Sequence, residues 1–230
     1  MILVPVKNLS GAKQRLASLL DQPSRTELAQ AMLHDVLSAL AAWSASSQVR
    51  PDVAVVTSDP FAVELAGQYE FEVIPDPENP GETGAIEMAT RVCVERDAAS
   101  TLVIPADIPL MQPWELAEIL RHAPTQGSVL VPAADGRGTN AAYRSPAALF
   151  PLRFGNDSFK PHHAAAQATG KLCVVLPLPG IAVDVDSPED LQRLLSLPGE
   201  TRAQQLARKW GIGAGVGTAA SDVQPRSGKL

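Results

Sequence analysis

Short apolar runs, each too brief to be a helix, alternate along this chain with longer stretches whose apolar residues recur every three or four positions. That alternation limits the fold more than any other feature. Residues 2–6, 53–57, 71–74, 101–104 and 128–131 read as strands. Helices lie between them. Ser24-Arg25-Thr26-Glu27, after Pro23, is a capping box, and Leu28, Met32, Leu33, Val36, Leu37, Leu40 and Trp43 then hold one helical face. Asp59-Pro60 caps and opens a second helix to about residue 69. A third spans 84–97, with Ile86, Ala89, Val92 and Cys93 on its apolar side, and Pro113 opens a fourth at 114–122. The 101–104 run has no polar break, the mark of a strand covered on both faces. This order predicts a single α/β domain with a mostly parallel central sheet, flanked by helices and wound by right-handed crossovers.

The second half changes rhythm. Strands are expected at 139–143, 172–175 and 182–185, and a helix at 159–169. Ser187 is a natural N-cap and Pro188 a natural first residue for a last helix to about 195. The domain is therefore placed at 1–195, with 196–230 a flexible C-terminal extension in which 201–210 could make one short helix. The run Gly211-Ile212-Gly213-Ala214-Gly215-Val216-Gly217 is not a dinucleotide loop, because no strand precedes it and the spacing is not GxGxxG. With 45% hydrophobic and only 4% aromatic residues, the core must be built from Leu, Val, Ile and Ala. Cys93 and Cys173 sit among apolar neighbours and read as buried free thiols, and neither belongs to a metal pattern. No leader and no membrane span is legible, so a cytoplasmic protein is expected. A net charge of −6 argues against nucleic acid and anionic membranes as partners, while leaving room for a local basic cluster.

Such a cluster follows the first strand: Lys7, Lys13 and Arg15 in VPVKNLSGAKQRL. Ligands of open α/β sheets bind beyond the carboxyl ends of the strands, and three cations there suit a polyphosphate. The alternative is a solvated turn with surface lysines. Asp107 stands at the carboxyl tip of the 101–104 strand, and Asp184 and Asp186, two apart, are expected on one strand face. Two such carboxylates repel unless a cation or hydrogen bonds compensate, and three aspartates beside a basic loop fit Mg²⁺, which takes one or two carboxylates plus phosphate oxygens. Asp186 could equally serve only as a turn residue before Ser187. Asp135-Gly136-Arg137-Gly138-Thr139-Asn140 combines glycines with short hydrogen-bonding side chains. Phe154-Gly155-Asn156-Asp157-Ser158 leads into a helix with Ser158 at its N-cap, which would turn backbone N–H groups toward an anion. His162-His163 lacks metal-ligand spacing; one of the pair is expected to touch a ligand phosphate or carboxylate, or solvent.

Taken in order, VPVK…AKQRL, ADIPL, DGRGTNAAYRSP, RFGNDSFKPHHAAA and DVDSPEDL resemble the CofC/FbiD family, the guanylyltransferases of coenzyme F420 biosynthesis. The resemblance spans about 1–195 and rests on GTNA, FGxxSFxxH and DVDSPEDL together. It implies a compact nucleotidyltransferase (GT-A-like) fold. It also implies transfer of GMP from GTP to a phosphorylated three-carbon acid (phosphoenolpyruvate, 3-phospho-D-glycerate or 2-phospho-L-lactate), releasing pyrophosphate. On the matching positions, Lys7, Lys13 and Arg15 would hold the GTP phosphates, and Asp107, Asp184 and Asp186 would bind Mg²⁺. Thr139, Gly155 and Ser158, with Asn140 beside them, would hold the acid. A homodimer is compatible with this assignment. The chain departs from the pattern at Glu82-Thr83, where the family usually has Leu-Asn; the Glu82 carboxylate is a candidate acceptor for a guanine edge. The alternatives are a related nucleotidyltransferase with another base or acceptor (molybdenum-cofactor or sugar-phosphate type), or a non-catalytic nucleotide-binding protein.

Overall fold

Four buried apolar residues, β1 (Ile2–Pro5), pair on both sides in the computed structural model, which describes residues 1–47, 52–78, 81–155 and 157–212. Leu3 lies opposite Ala54 of β2 (Val53–Val56) and opposite Val103 of β4 (Thr101–Val103), both in parallel register. β3 (Glu72–Ile74) extends the sheet beyond β2. On the other side come β6 (Thr139–Ser145), then β5 (Gly127–Pro132), then β7 (Leu172–Val175). The order is β3-β2-β1-β4-β6-β5-β7. β6 is antiparallel to both its neighbours and β7 parallel to β5, so β6 alone opposes a common strand direction. The expected mostly parallel sheet is the one observed.

Alternation along the strands divides the core into two layers. Ile2 and Val4 face Leu28, Met32 and Val36 of α1 (Gln22–Ser46), with Ala62 and Leu65 of α2 (Pro60–Gln68) and Leu116 of α4 (Pro113–Arg121) in the same layer. Leu3 and Val56 point the other way. They join Ile86 and Ala89 of α3 (Glu82–Glu95) and Ala166 of α5 (Phe159–Ala168). The core is aliphatic, as a chain poor in aromatic residues requires. Cys93 is buried in the second layer, whereas Cys173 is partly exposed, and both are free thiols. Among the described residues no helix is long and apolar enough to cross a membrane.

Two helix starts and one expected strand depart from the sequence reading. α1 starts before the Ser24 capping box, because the Asp21 carboxylate is the N-cap and accepts the Ser24 N–H at 2.9 Å. Pro23 then falls in the first turn, where its missing donor costs nothing. α3 starts at Glu82 after Gly81, whose φ of 101° strongly favours glycine. Residues 182–185 are not a strand. They run past the carboxyl ends of β4 and β5, lashed by backbone bonds from Ala134 N to Ala182 O (2.9 Å) and from Val185 N to Asp107 O (3.1 Å).

Glu115 holds the approach to that segment. It is fully buried, and its carboxylate accepts the N–H of Gln112 (2.8 Å), in the α4 capping box, and that of Gly180 (2.7 Å). A Cβ on Gly180 would stand 2.4 Å from both Glu115 Oε2 and Leu110 O, so the close approach demands glycine. The chain also stays folded past 195. α6 (Pro188–Ser196), capped by Ser187 as expected, is followed by α7 (Arg202–Lys209), which buries Ala203 and Ala207 in the first layer. Asp35 of α1 accepts the N–H groups of Arg202 (2.9 Å) and Ala203 (3.0 Å) at the start of α7. Residues 213–230, with most of the glycine run, lie outside the described residues. Removing the Glu115 carboxylate strands buried backbone donors. Glu115→Ala is expected to cost about 2–3 kcal/mol, lowering Tm by about 5–10 °C in a thermal melt.

Candidate active site

The loop after β1 carries the three expected cations, and it is built to hold them. Asn8 caps a short 3₁₀ turn (Leu9–Gly11), and the Leu9 N–H donates to Asp59 Oδ2 at 2.9 Å. Asp59 Oδ1 meanwhile caps α2 through the Ala62 N–H, so one carboxylate fastens the loop to that helix. Lys13 adopts a left-handed backbone (φ 55°, ψ 44°) and Leu16 anchors the far end in the core. The Lys13 side chain is only 9% exposed, and its Nζ donates to Asp107 Oδ2 at 2.7 Å and Asp186 Oδ1 at 2.8 Å. Arg15 Nη1 lies 4.0 Å from Asp186 Oδ2. Lys7 Nζ stands 3.9 Å from where a Cβ on Gly81 would be, beside the start of α3.

Burial alone would push the Lys13 pKa down, but the charges of Asp107 and Asp186 outweigh it and hold the ammonium above its ordinary range. Burial would raise the Asp186 carboxyl, and Lys13 pulls it below the usual value. Asp184 is raised, chiefly by burial and also by Asp107 and Asp186, against a lowering hydrogen bond from Asn140. Glu82 is pushed up to about 7, first by burial and then by Asp107, against the attraction of Lys7.

Two clefts meet at this point, both beyond the carboxyl ends of β1 and β4. One, of about 360 Å³, has the basic loop on one side and Ala29 and Met32 of α1 as apolar wall. The other, of about 390 Å³, is polar and includes Arg15, Thr139, Gly155, Ser158 and Asp184 in its lining. Glu82, Pro105, Asp107 and Asp186 line both.

The second cleft depends on the start of β6. Val131 pairs with Ala141 but Pro132 with Thr139, so Asn140 is an extra residue, a bulge. Its buried amide donates to Ile181 O (2.9 Å) and Asp184 Oδ1 (3.0 Å). Ser158 stands at the N-cap of α5, yet its hydroxyl does not cap the helix; it accepts the Thr139 N–H at 3.0 Å. Gly155, at φ 128°, turns the loop between them, and Asn156 lies outside the described residues. Phe154 N–H donates to Thr83 Oγ1 at 3.0 Å, tying this loop to α3.

All ten site residues read from the sequence line or adjoin these clefts. Asp184 and Asp186, expected as a pair on one strand face, instead have separate partners, Asn140 and Lys13, because their segment is not in the sheet. Among the described residues no three carboxylate, imidazole or thiol groups gather as a ready-made metal set. His162 lines neither cleft: it is buried and bonded to Thr139. The placement of Glu82 between the clefts, the Asn140 bulge and the His162 contact are beyond the sequence pattern; only Glu82 has a signal there, its departure from the family motif.

A cationic loop and a second polar cleft share a wall of carboxylates beyond the carboxyl ends of the strands, in keeping with a nucleotidyltransferase-type architecture. Solved structures support the fold. A nucleotidyl transferase from Methanothermobacter thermautotrophicus aligns with TM-score 0.54 at 17% identity, over 91% of this chain and 99% of that one. A Desulfovibrio desulfuricans G20 chain of the nucleotide-diphospho-sugar transferase kind aligns with TM-score 0.70 at 18% identity, over 90% and 93%. The chain belongs to the "Guanylyl transferase CofC like" family, whose model matches residues 1–224. Among relatives, the phosphoenolpyruvate guanylyltransferase of Roseiflexus castenholzii is 38% identical over 90% of this chain and 93% of its own length. The 3-phospho-D-glycerate guanylyltransferase of Colwellia psychrerythraea is 32% identical over 89% and 95%.

Glu82 gives the ligand-free protein a pH signature. Its folded-state pKa of about 7 exceeds the ordinary 4.5, so the fold favours the protonated form. The associated stability is complete below the unfolded value and is lost as pH rises through about 7. Glu82→Gln, which never ionises, is expected to melt higher than the unsubstituted protein at pH 8 and to match it near pH 4.5. Parallel melts across that range check this, and a constant difference would contradict it.

Proposed function

We propose that this protein transfers GMP from GTP to a phosphorylated three-carbon acid, phosphoenolpyruvate foremost, releasing pyrophosphate in the biosynthesis of coenzyme F420. The observation that carries this reading is the pair of clefts with a shared wall: one cationic with an apolar side, one lined by short hydroxyls and a turn glycine. The names of the relatives favour phosphoenolpyruvate or 3-phosphoglycerate as acceptor.

In this reading Lys7, Lys13 and Arg15 hold the phosphates of GTP, while Thr139, Asn140, Gly155 and Ser158 hold the acid. A phosphate oxygen of the acid attacks the α-phosphorus of GTP. The new P–O bond forms as the bond to the pyrophosphate oxygen breaks, and pyrophosphate leaves with that electron pair. The attacking oxygen is already anionic, so the protein needs no strong general base. Its task is to bring two anions together and spread the charge that develops. Lys13 is suited to this because Asp107 and Asp186 keep it charged although buried.

The donor set also fits Mg²⁺. Asp107 and Asp186 both bond one ammonium, and two carboxylates with phosphate oxygens are what this hard cation takes. Asp107 and Asp186, with Asp184 near them, would hold it, and it would supply Lewis-acid stabilisation of the phosphoryl oxygens.

The test is pyrophosphate release from GTP or CTP against phosphoenolpyruvate, 3-phospho-D-glycerate, 2-phospho-L-lactate and a sugar phosphate. Turnover with GTP and a three-carbon acid is expected; turnover confined to CTP or to the sugar phosphate would overturn the proposal. Asp107→Asn and Asp186→Asn are each expected to lower kcat by about 10²–10³-fold. They should also raise the Mg²⁺ concentration needed for half-maximal rate.

A further inference from the structure

The sequence FGNDSFKPHH places His162 one helical turn after Ser158, and the helix turns its ring inward. It is 1% exposed and does not line the acceptor cleft, yet it touches the residue that does. Its Nε2 accepts the backbone N–H of Arg153 at 2.7 Å, and its Nδ1 lies 2.9 Å from Thr139 Oγ1. A main-chain N–H can only donate, so Nε2 carries no proton. The ring proton of the neutral imidazole is then on Nδ1 and is donated to the Thr139 hydroxyl. Burial, reinforced by the nearby Arg144 guanidinium, holds the ring neutral by lowering its pKa to about 4.

A threonine hydroxyl has one proton to give and lone pairs to receive. With His162 donating to it, Thr139 Oγ1 has its own proton left for the cleft that it lines. Ser158 is arranged in the same sense. Its Oγ accepts the Thr139 N–H at 3.0 Å, which leaves its proton for the cleft as well. Two buried hydroxyls thus present donors to one space, and that polarity suits an anionic oxygen.

We propose that His162 is a positioning residue for the acceptor: its Nδ1–H fixes the Thr139 hydroxyl as a donor toward the carboxylate or phosphate of the phosphorylated acid. The proposal rests on the reading of the Thr139 cleft as the acceptor site. His162 also spans three segments, α5, the start of β6 and the loop at Arg153 that leads to Gly155. A ring at this point keeps the two halves of the cleft in register. The Phe154 ring packs edge-on against it, with centroids 5.2 Å apart.

Two isosteric variants separate the ring's bonds. In His162→Gln the amide reaches the position of Nε2, where its oxygen can still accept the Arg153 N–H while Thr139 loses its donor. In His162→Asn the amide N–H stands near Nδ1 and keeps the donor to Thr139. Steady-state kinetics with GTP and phosphoenolpyruvate are expected to show KM for the acid raised about 10-fold in His162→Gln, the scale of one hydrogen bond to a charged group. KM for GTP should stay within about 2-fold, and His162→Asn should recover most of the affinity for the acid. In a Thr139→Val background, His162→Gln should add nothing further. If both His162 variants raise the two KM values alike, or if the losses are additive with Thr139→Val, the ring is only a packing element and the proposal fails. Should His162→Gln not fold, His162→Asn set against Thr139→Val decides the same question, since the proposal requires the former to bind the acid more tightly. Thr139→Val alone tests the underlying reading. An unchanged KM for the acid there refutes the acceptor site and the proposal with it, whereas a raised KM with no effect of His162→Gln refutes only the role of His162.

Discussion

A buried ammonium held between two carboxylates organises this protein. Lys13 joins three segments that are far apart in sequence: its own loop, the tip of β4 at Asp107, and the irregular run at Asp186. Of the three charges the ammonium is the buried one, and it would not be stable there without the two partly exposed carboxylates. Together they fix the distance between the cationic loop and the acidic wall. The supports around them serve the same end. Asp59 pins the loop through Leu9, and Glu115 pins the run that leads to Asp184 and Asp186. The site is thus assembled from irregular backbone: carboxylates that accept main-chain N–H groups tie two of its pieces to helices, and the Thr83 hydroxyl ties the loop at Phe154.

The sheet explains why two clefts, not one, lie at this edge. Parallel strands bring loops with free carboxyl ends to one rim, and the basic loop and Asp107 come from β1 and β4 in that way. β6 runs against them, so its beginning reaches the same rim, bringing Thr139 and Asn140 opposite Asp107. A sheet with all strands alike could not place the start of a strand there. The Thr83 to Phe154 hydrogen bond then ties the helix bordering the first cleft to the loop lining the second.

Much of this was legible in the sequence. Uninterrupted apolar runs located β1, β2 and β4 to within a residue or two, since a strand buried on both faces tolerates no polar break. The Ser187-Pro188 signal located α6 correctly because an N-cap is a local interaction. From the sequence Ser24 reads as the cap of α1, and Asp21, which also has a capping side chain, holds that place with Pro23 in the first turn. Residues 182–185 looked like a strand because they are apolar, yet what holds them is bonding to Ala134 and Asp107, with Glu115 holding Gly180 and Ile181 just before them, and local pattern carries no trace of that. α7 has too few large apolar residues to announce itself as core, and its small Ala203 and Ala207 are what allow close packing. The site residues were found as types in loops. Their division between Lys13 and Asn140, and the orientation of His162, arise from contacts between residues far apart along the chain.

The bulge at Asn140 has an implication for how such a site can change. A ladder with one extra residue can lose it and close into a regular register, so the sheet would survive a single deletion there. The residues on either side would not keep their duties. The amide that reaches Ile181 and Asp184 would be gone, and with it the link that aligns the acidic run with the strand. One codon therefore separates the folded scaffold from its second cleft.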